Sequence, residues 1–226
     1  MAALVWDEVG SRTYETGVDH GVLYLPDSTN AYVNAYVWNG LTSVSETSEG
    51  GEPEALYADN IKYLELVSAE EKGLSISAYT YPPEFEQCDG TAEPVKGLKV
   101  GQQTRKKFGF VYRTKIGNDV DGEDHGYKLH LCYGCLAAPT EREYATINDS
   151  PEAIEFSWDI SCTPVTVNSN YKNAAILTVD STAFQTTAEQ DALAALETKL
   201  FGGENSTPYL PMPSEVISTL TPATTP

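Results

Sequence analysis

Positive charge is scarce in this chain. Fourteen Lys and Arg stand against 33 Asp and Glu, a formal net charge of −19 over 226 residues. So acidic a surface repels nucleic acid at moderate salt and is not drawn to an anionic membrane, which argues against a role in coating either. Long apolar runs are missing as well: no window approaches the roughly 18 apolar residues of a membrane helix. The opening residues Met1 to Asp7 show neither a basic start nor a long apolar stretch, so no secretory signal is expected. Histidine is limited to His20, His125 and His130, too few for a His-rich metal site. GxSxG, HExxH and a phosphate-cradling glycine loop are all absent, and the expectation is a protein that is not an enzyme and needs no cofactor.

Cysteine is sparse too. Cys88, Cys132, Cys135 and Cys162 in a chain without a signal read as reduced thiols rather than a disulfide framework. Cys132-Tyr133-Gly134-Cys135 has CxxC spacing, but no second pair completes a zinc site. It also lies inside a strand-like run, whereas a redox CxxC needs a helix start behind its first thiol. Core packing is the expected role. Gly117-Asn118-Asp119-Val120-Asp121-Gly122-Glu123-Asp124 has the acidic density of a calcium loop. With Gly122 as the invariant glycine, however, Gly117 falls at the first ligand position and Lys128 at the twelfth, where glutamate is required. The segment reads as a turn between strands.

What is present leans towards β structure: 14 Tyr, 17 Gly and 13 Pro suit strands and turns. Strand-like runs occur at residues 20–25, 32–39, 61–67, 73–81, 105–116, 127–137, 153–164 and 175–179, with the 61–67 and 73–81 runs expected to pair. In residues 105–116, Phe108, Phe110, Tyr112 and Ile116 alternate with Arg105, Lys107, Arg113 and Lys115, giving one apolar and one basic face. In residues 153–164, Ile154, Phe156, Trp158 and Ile160 alternate with Glu155, Ser157, Asp159 and Ser161, the pattern of a sheet wet on one side. Between early strands, Glu49-Gly50-Gly51-Glu52-Pro53-Glu54 reads as an acidic loop. A capping box at Thr187-Ala188-Glu189-Gln190 opens a helix over about 187–201, and Gly202-Gly203 stops it. The organisation that follows is an N-terminal arm over 1–19, a β domain over 20–203 closed by that helix, and an extended C-terminal tail over 204–226.

Five blocks, taken in order, resemble the major tail proteins (tail tube proteins) of bacteriophages and prophages with long, non-contractile tails. They are Leu4-Val5-Trp6-Asp7-Glu8-Val9-Gly10 continuing to Tyr24; Leu56-Tyr57-Ala58-Asp59-Asn60-Ile61-Lys62-Tyr63-Leu64 with Ser68-Ala69-Glu70-Glu71; Ala78-Tyr79-Thr80-Tyr81-Pro82 with Cys88-Asp89-Gly90; Tyr127-Lys128-Leu129-His130 with Tyr133-Gly134-Cys135-Leu136-Ala137; and Asn148-Asp149-Ser150-Pro151-Glu152-Ala153-Ile154. The resemblance implies a mainly β, tail-tube-type antiparallel sandwich or half-barrel with a peripheral helix and extended terminal arms. It implies a structural virion protein that forms homohexameric rings, stacked into the channel for DNA ejection around a tape-measure protein and bounded by tail-tip and terminator proteins. DNA would pass without specific binding and no membrane would be involved. The particle would be assembled in the host cytoplasm. In this family a long loop between early strands contacts the neighbouring ring, which directs attention to Glu49, Glu52 and Glu54.

Under that reading, Glu155 and Asp159 are candidates to line the lumen, where carboxylates would repel passing phosphates. Arg105, Lys107, Arg113 and Lys115 are candidate inter-subunit contacts towards an acidic surface of the adjacent subunit or ring, such as Glu46 to Glu49 or Glu52 to Glu54, with Trp6 as the anchor of the arm. Charge alone does not decide between these roles and simpler ones: excess acid also keeps a chain soluble, and a basic strand face also discourages wrong edge pairing. The alternative from a different class is a monomeric β-sandwich binding module for carbohydrates or surfaces, with Tyr79, Tyr81 and Phe85 as a stacking platform.

Overall fold

A computed structural model describes residues 4–147 and 153–221. Residues 148–152 of the fifth block, and the end of the tail from Pro222, lie outside the described residues. The protein is mainly β, an antiparallel sheet curled into a half-barrel with two helices packed on its outer side. The strands are β1 (Thr13–Leu25), β2 (Asn34–Trp38), β3 (Leu41–Gly50), β4 (Pro53–Ala58), β5 (Ile61–Val67), β6 (Glu70–Ala78), β7 (Ala92–Val95), β8 (Leu98–Val100), β9 (Phe108–Asn118), β10 (Gly122–Ala137), β11 (Phe156–Cys162) and β12 (Ile176–Asp180), followed by helices α1 (Thr187–Phe201) and α2 (Pro213–Leu220).

Eight strands form the main sheet in the order β2-β1-β9-β10-β11-β6-β3, with β12 also on β10. The two share one edge of β10: β12 pairs with Lys128–Cys132 and β11 with Cys135–Ala137. The handover falls at a bulge between Cys132 and Cys135. Gly134 makes it possible with φ +59°, in a spot where a Cβ would lie 2.6 Å from the Thr163 carbonyl oxygen. Beyond the handover the sheet turns back over itself, and Leu41 of β3 comes to rest against Gly21 of β1.

Curling gives the central strands a core on each face. Leu23, Phe108, Phe110, Cys132 and Cys135 meet Leu74, Ile76, Trp158 and Ile160 inside the curl. Val22, Tyr24, Val111, Leu129, Leu131 and Tyr133 point the other way, onto Leu193, Leu196, Leu200, Leu210 and Val216. Strands buried on both sides therefore read as continuous apolar runs instead of alternating ones. Inside the curl, Trp38 packs edge to face on Phe110 and Trp158, and Phe85, carried in by a 3-10 turn over Pro83–Gln87, packs edge to face on Trp158 and tilted on Trp38.

Several expectations are corrected. β1 begins at Thr13 and ladders with β9 from Thr13↔Asn118 onward, so residues 13–19 of the expected arm are strand and part of the sheet. Glu15, Thr16 and Asp19 alternate too weakly in hydropathy to betray this, because that end of the ladder is exposed. The 61–67 run does not pair with 73–81: β5 pairs with β4, and β6 with β3 and β11. Helix α1 matches its expected span, but its capping box is Thr186 with Glu189, one residue earlier than the sequence suggested. The C-terminal segment is not simply extended. Leu210 bridges to Tyr32, Pro213 occupies the first turn of α2, and Val216 is buried beside α1. Proline at a helix start costs no hydrogen bond, so a proline-rich composition did not preclude a helix.

Candidate functional site

Two surfaces stand out, and both grow from one long hairpin. β3 and β6 pair from Leu41↔Ala78 to Gly50↔Glu70, and after a break the same two chain directions continue as β4 and β5, from Pro53↔Val67 to Ala58↔Ile61. Gly50 and Gly51, at φ +75° and +73°, supply the kink. The segment expected to be an acidic loop at Glu49–Glu54 is thus a hinge within a ribbon: Glu49 ends the sheet part, Glu52 sits at the kink and Glu54 lies in β4 opposite Leu66.

Beyond the hinge, among the described residues, β4 and β5 pair only with each other, and nearly every residue of both is exposed. The exposed side chains are apolar to an unusual degree: Tyr57, Ile61, Tyr63, Leu66 and Val67 are each more than half exposed. By register, Leu56, Leu64 and Leu66 share one face with Glu54, while Ala55, Tyr63 and Val67 share the other. An isolated two-stranded ribbon is marginal in water, and apolar faces on both sides make it costlier still.

The second surface is the outer face of β3, β6 and β11. Register lines up Ser45, Ser75 and Asp159, then Ser43, Ser77 and Ser157, then Thr47, Gly73 and Ser161. Their neighbours Val44, Leu74, Ile76, Trp158 and Ile160 turn inward. The result is a smooth polar face of short side chains. Ser75 donates to Asp159 Oδ1 at 3.0 Å, and Thr42 donates to Glu155, which sits just ahead of β11. Glu49 and Glu71 border this face, where Lys72 is tied to Ser48 at 2.6 Å and Glu70 at 2.7 Å. Glu155, Asp159 and Glu49, chosen from separate parts of the sequence, thus lie on one surface. The serines that build it were visible in the alternation but had no chemistry to single them out.

The basic residues are not brought together in the same way. Arg105 and Lys107 precede β9, so only Arg113 and Lys115 share its outer face. Arg113 forms a two-pronged pair with Asp19 of β1, Nε to Oδ1 at 2.7 Å and Nη2 to Oδ2 at 2.8 Å. This hydrogen-bonded cation holds the Asp19 carboxyl below its ordinary range. Lys115 reaches Glu123 at 3.4 Å, Lys107 donates to Thr163, and Arg105 Nε is buried with no hydrogen-bond partner among the described residues. Trp6 is 75 % exposed.

Other sequence candidates resolve into ordinary packing. Phe85 is fully buried, so Tyr79, Tyr81 and Phe85 form no open platform, and Arg142 lies over the Tyr81 ring at 5.7 Å. In the β9–β10 turn, Asp121 accepts from Asn118 and faces His125, while Asp119 accepts from the backbone of Gly10. Among the described residues no group of three or more His, Cys, Asp or Glu is arranged to hold a metal ion, and no helix is long and apolar enough to cross a membrane. His130 was missed as a packing residue: its ring stacks on Tyr112 at 4.5 Å, and both contact the Glu46 carboxylate.

No protein-family model matches the chain, and no curated protein matches it. Among solved structures, a chain from the six-fold-symmetrised cryo-EM structure of the anti-feeding prophage baseplate is similar over 78 % of this chain and 97 % of that one, at 9 % identity and a TM-score of 0.37.

Proposed function

We propose that the protein is a structural subunit of a phage tail tube, assembling as stacked hexameric rings whose channel carries DNA out of the particle. The observation that carries this reading is the β4–β5 ribbon. A subunit that holds seven residues of β5 in water with Tyr63, Leu66 and Val67 uncovered gains free energy only when a neighbour covers them. The five sequence blocks suggest the kind of assembly, and the ribbon springs from the Glu49–Glu54 segment that the resemblance expects to contact the adjacent ring.

The polar face of β3, β6 and β11 then suits the lumen. Short serine and threonine side chains offer a smooth wall, and Asp159, Glu155 and Glu49 repel phosphate, so DNA slides without being held. Assembly partners would include the tape-measure, tail-tip and terminator proteins, in a virion assembled in the host cytoplasm. Trp6, exposed at the N-terminal end, would be covered by a neighbouring copy. Nothing in this role calls for catalysis or a cofactor.

Negative-stain electron microscopy with light scattering on the purified chain, at rising concentration and with tail-tip extract, tests the reading. Rings or tubes with a central channel are expected. Tyr63→Ser with Val67→Ser should abolish them while leaving the melting temperature within a few degrees, because these side chains bury little in the free subunit. A wild-type chain that stays monomeric under every condition would favour the binding-module alternative.

A further inference from the structure

We propose that Cys135 and Cys162 are a paired oxidation site, held as thiols in the newly folded protein and converted by a peroxide-class oxidant into a disulfide that staples the main sheet. The two sulfurs lie 3.7 Å apart, and both residues are buried. They are direct partners in the β10–β11 ladder. Thr163 N donates to Gly134 O on one side of the pair, and Ala138 N donates to Asp159 O further along. Hydrogen-bonded pairs therefore fall at 134/163 and 138/159, and alternation makes 135/162 a non-hydrogen-bonded pair. In that kind of pair the Cα atoms approach to about 4.5 Å, inside the range a disulfide spans.

The position matters as much as the distance. β10 and β11 are joined by only three registered pairs, Cys135↔Cys162, Leu136↔Ser161 and Ala137↔Ile160. Among the described residues, that short seam is the strand pairing that links the β1–β9–β10 half of the sheet path to the β11–β6–β3 half that carries the ribbon and the polar face. Cys132 is brought into the same core by the bulge at Gly134, yet its ladder partner is Ile176 of β12, so it does not face Cys162 across a strand pair. Burial raises the Cys135 thiol and shields it from bulky disulfides while the sheet is closed. A small neutral peroxide can reach it when the short seam opens locally.

The step balances. The Cys135 or Cys162 thiolate attacks one peroxide oxygen, breaking the O–O bond to give a sulfenic acid and, with the thiol proton, one water. The second thiol then displaces the sulfenic oxygen, forming the S–S bond and releasing a second water. Two electrons pass from the thiol pair to the peroxide.

The test treats the intact full-length protein with hydrogen peroxide, alkylates remaining thiols in denaturant, and maps linked peptides by mass spectrometry. A Cys135–Cys162 linkage should dominate, with Cys88 and Cys132 alkylated. Closing a loop of sequence separation 27 should raise the melting temperature by on the order of 5–10 °C, reversibly with dithiothreitol. Cys162→Ala should lose both effects and Cys88→Ala neither. The proposal is overturned if all four thiols remain alkylatable after an exposure that fully oxidises an unstructured thiol peptide. It is equally overturned if Cys132 is the linked residue, or if the pairing matches the mixture formed in urea. The mapping uses the wild-type chain, so a variant that fails to fold does not shield the proposal.

Discussion

Glu49 and Glu71 face each other across the β3–β6 ladder, one pair before the sheet gives way to the ribbon. Like charges directly opposite destabilise a strand pair, and here they do so beside the hinge that sets the ribbon's direction. Glu71→Gln should therefore raise the melting temperature at low salt. The gain should vanish near 1 M salt, where screening extends over only about 3 Å. Melting curves at two ionic strengths check this. A salt-independent gain would assign the effect to packing.

Arg113 is already engaged within its own subunit. Because it grips Asp19 on the neighbouring strand, Arg113→Glu should weaken the fold itself. A loss of about 1–2 kcal/mol is expected for a half-buried charged pair of this geometry, read by urea unfolding. Exchanging the charges, Asp19→Arg with Arg113→Asp, should recover part of it. Lys107, which makes a single surface hydrogen bond to Thr163, is the better probe of an intermolecular contact.

Acid should loosen the contact of β3 with β9 and β10. Glu46 accepts hydrogen bonds from His130 and from the Tyr112 hydroxyl, and these hold its carboxyl below the ordinary value of 4.5. A carboxyl lowered on folding contributes stability that is complete above its unfolded value. That contribution is lost as pH falls through the folded one, here below about 4.5. Glu46→Gln should therefore be less stable near neutrality and show a shallower fall in stability between pH 5 and pH 3. Parallel slopes for the two proteins would exclude Glu46 as a contributor.

Helix α1 seals the outer core through Leu193, Leu196 and Leu200. Leu196→Ala should cost about 2–5 kcal/mol, as for a leucine deleted from a filled interior. Thr186→Ala should cost about 1 kcal/mol, since Thr186 and Glu189 cap each other's backbone amides. Chemical denaturation of both variants measures the two effects on one scale.

Local patterns carried much of the architecture. The alternation of Phe156, Trp158 and Ile160 with Ser157, Asp159 and Ser161 marked a strand with one wet face, and Glu155 and Asp159 do lie on that exposed side. The span of α1 followed from its apolar spacing and the glycines after it. Strand partners were not legible, because alternation states which side of a strand is buried and not which strand lies beside it. The pairing of β5 with β4 depends on a turn at Asp59-Asn60, both in left-handed conformations at φ +51° and +63°.

By itself the sequence determined that this is an acidic, mainly β chain, with a capped helix near its end and strands whose wet faces carry serine and carboxylate. These follow from periodicity, propensity and charge, which act over a few residues. Only the tertiary structure decided that Glu49, Glu155 and Asp159 share a surface, that Arg113 is consumed by Asp19, that the tail folds onto α1, and that Cys135 meets Cys162. Each of these depends on register and on the curl of the sheet. Those are fixed by the whole core at once, through contacts between residues far apart along the chain.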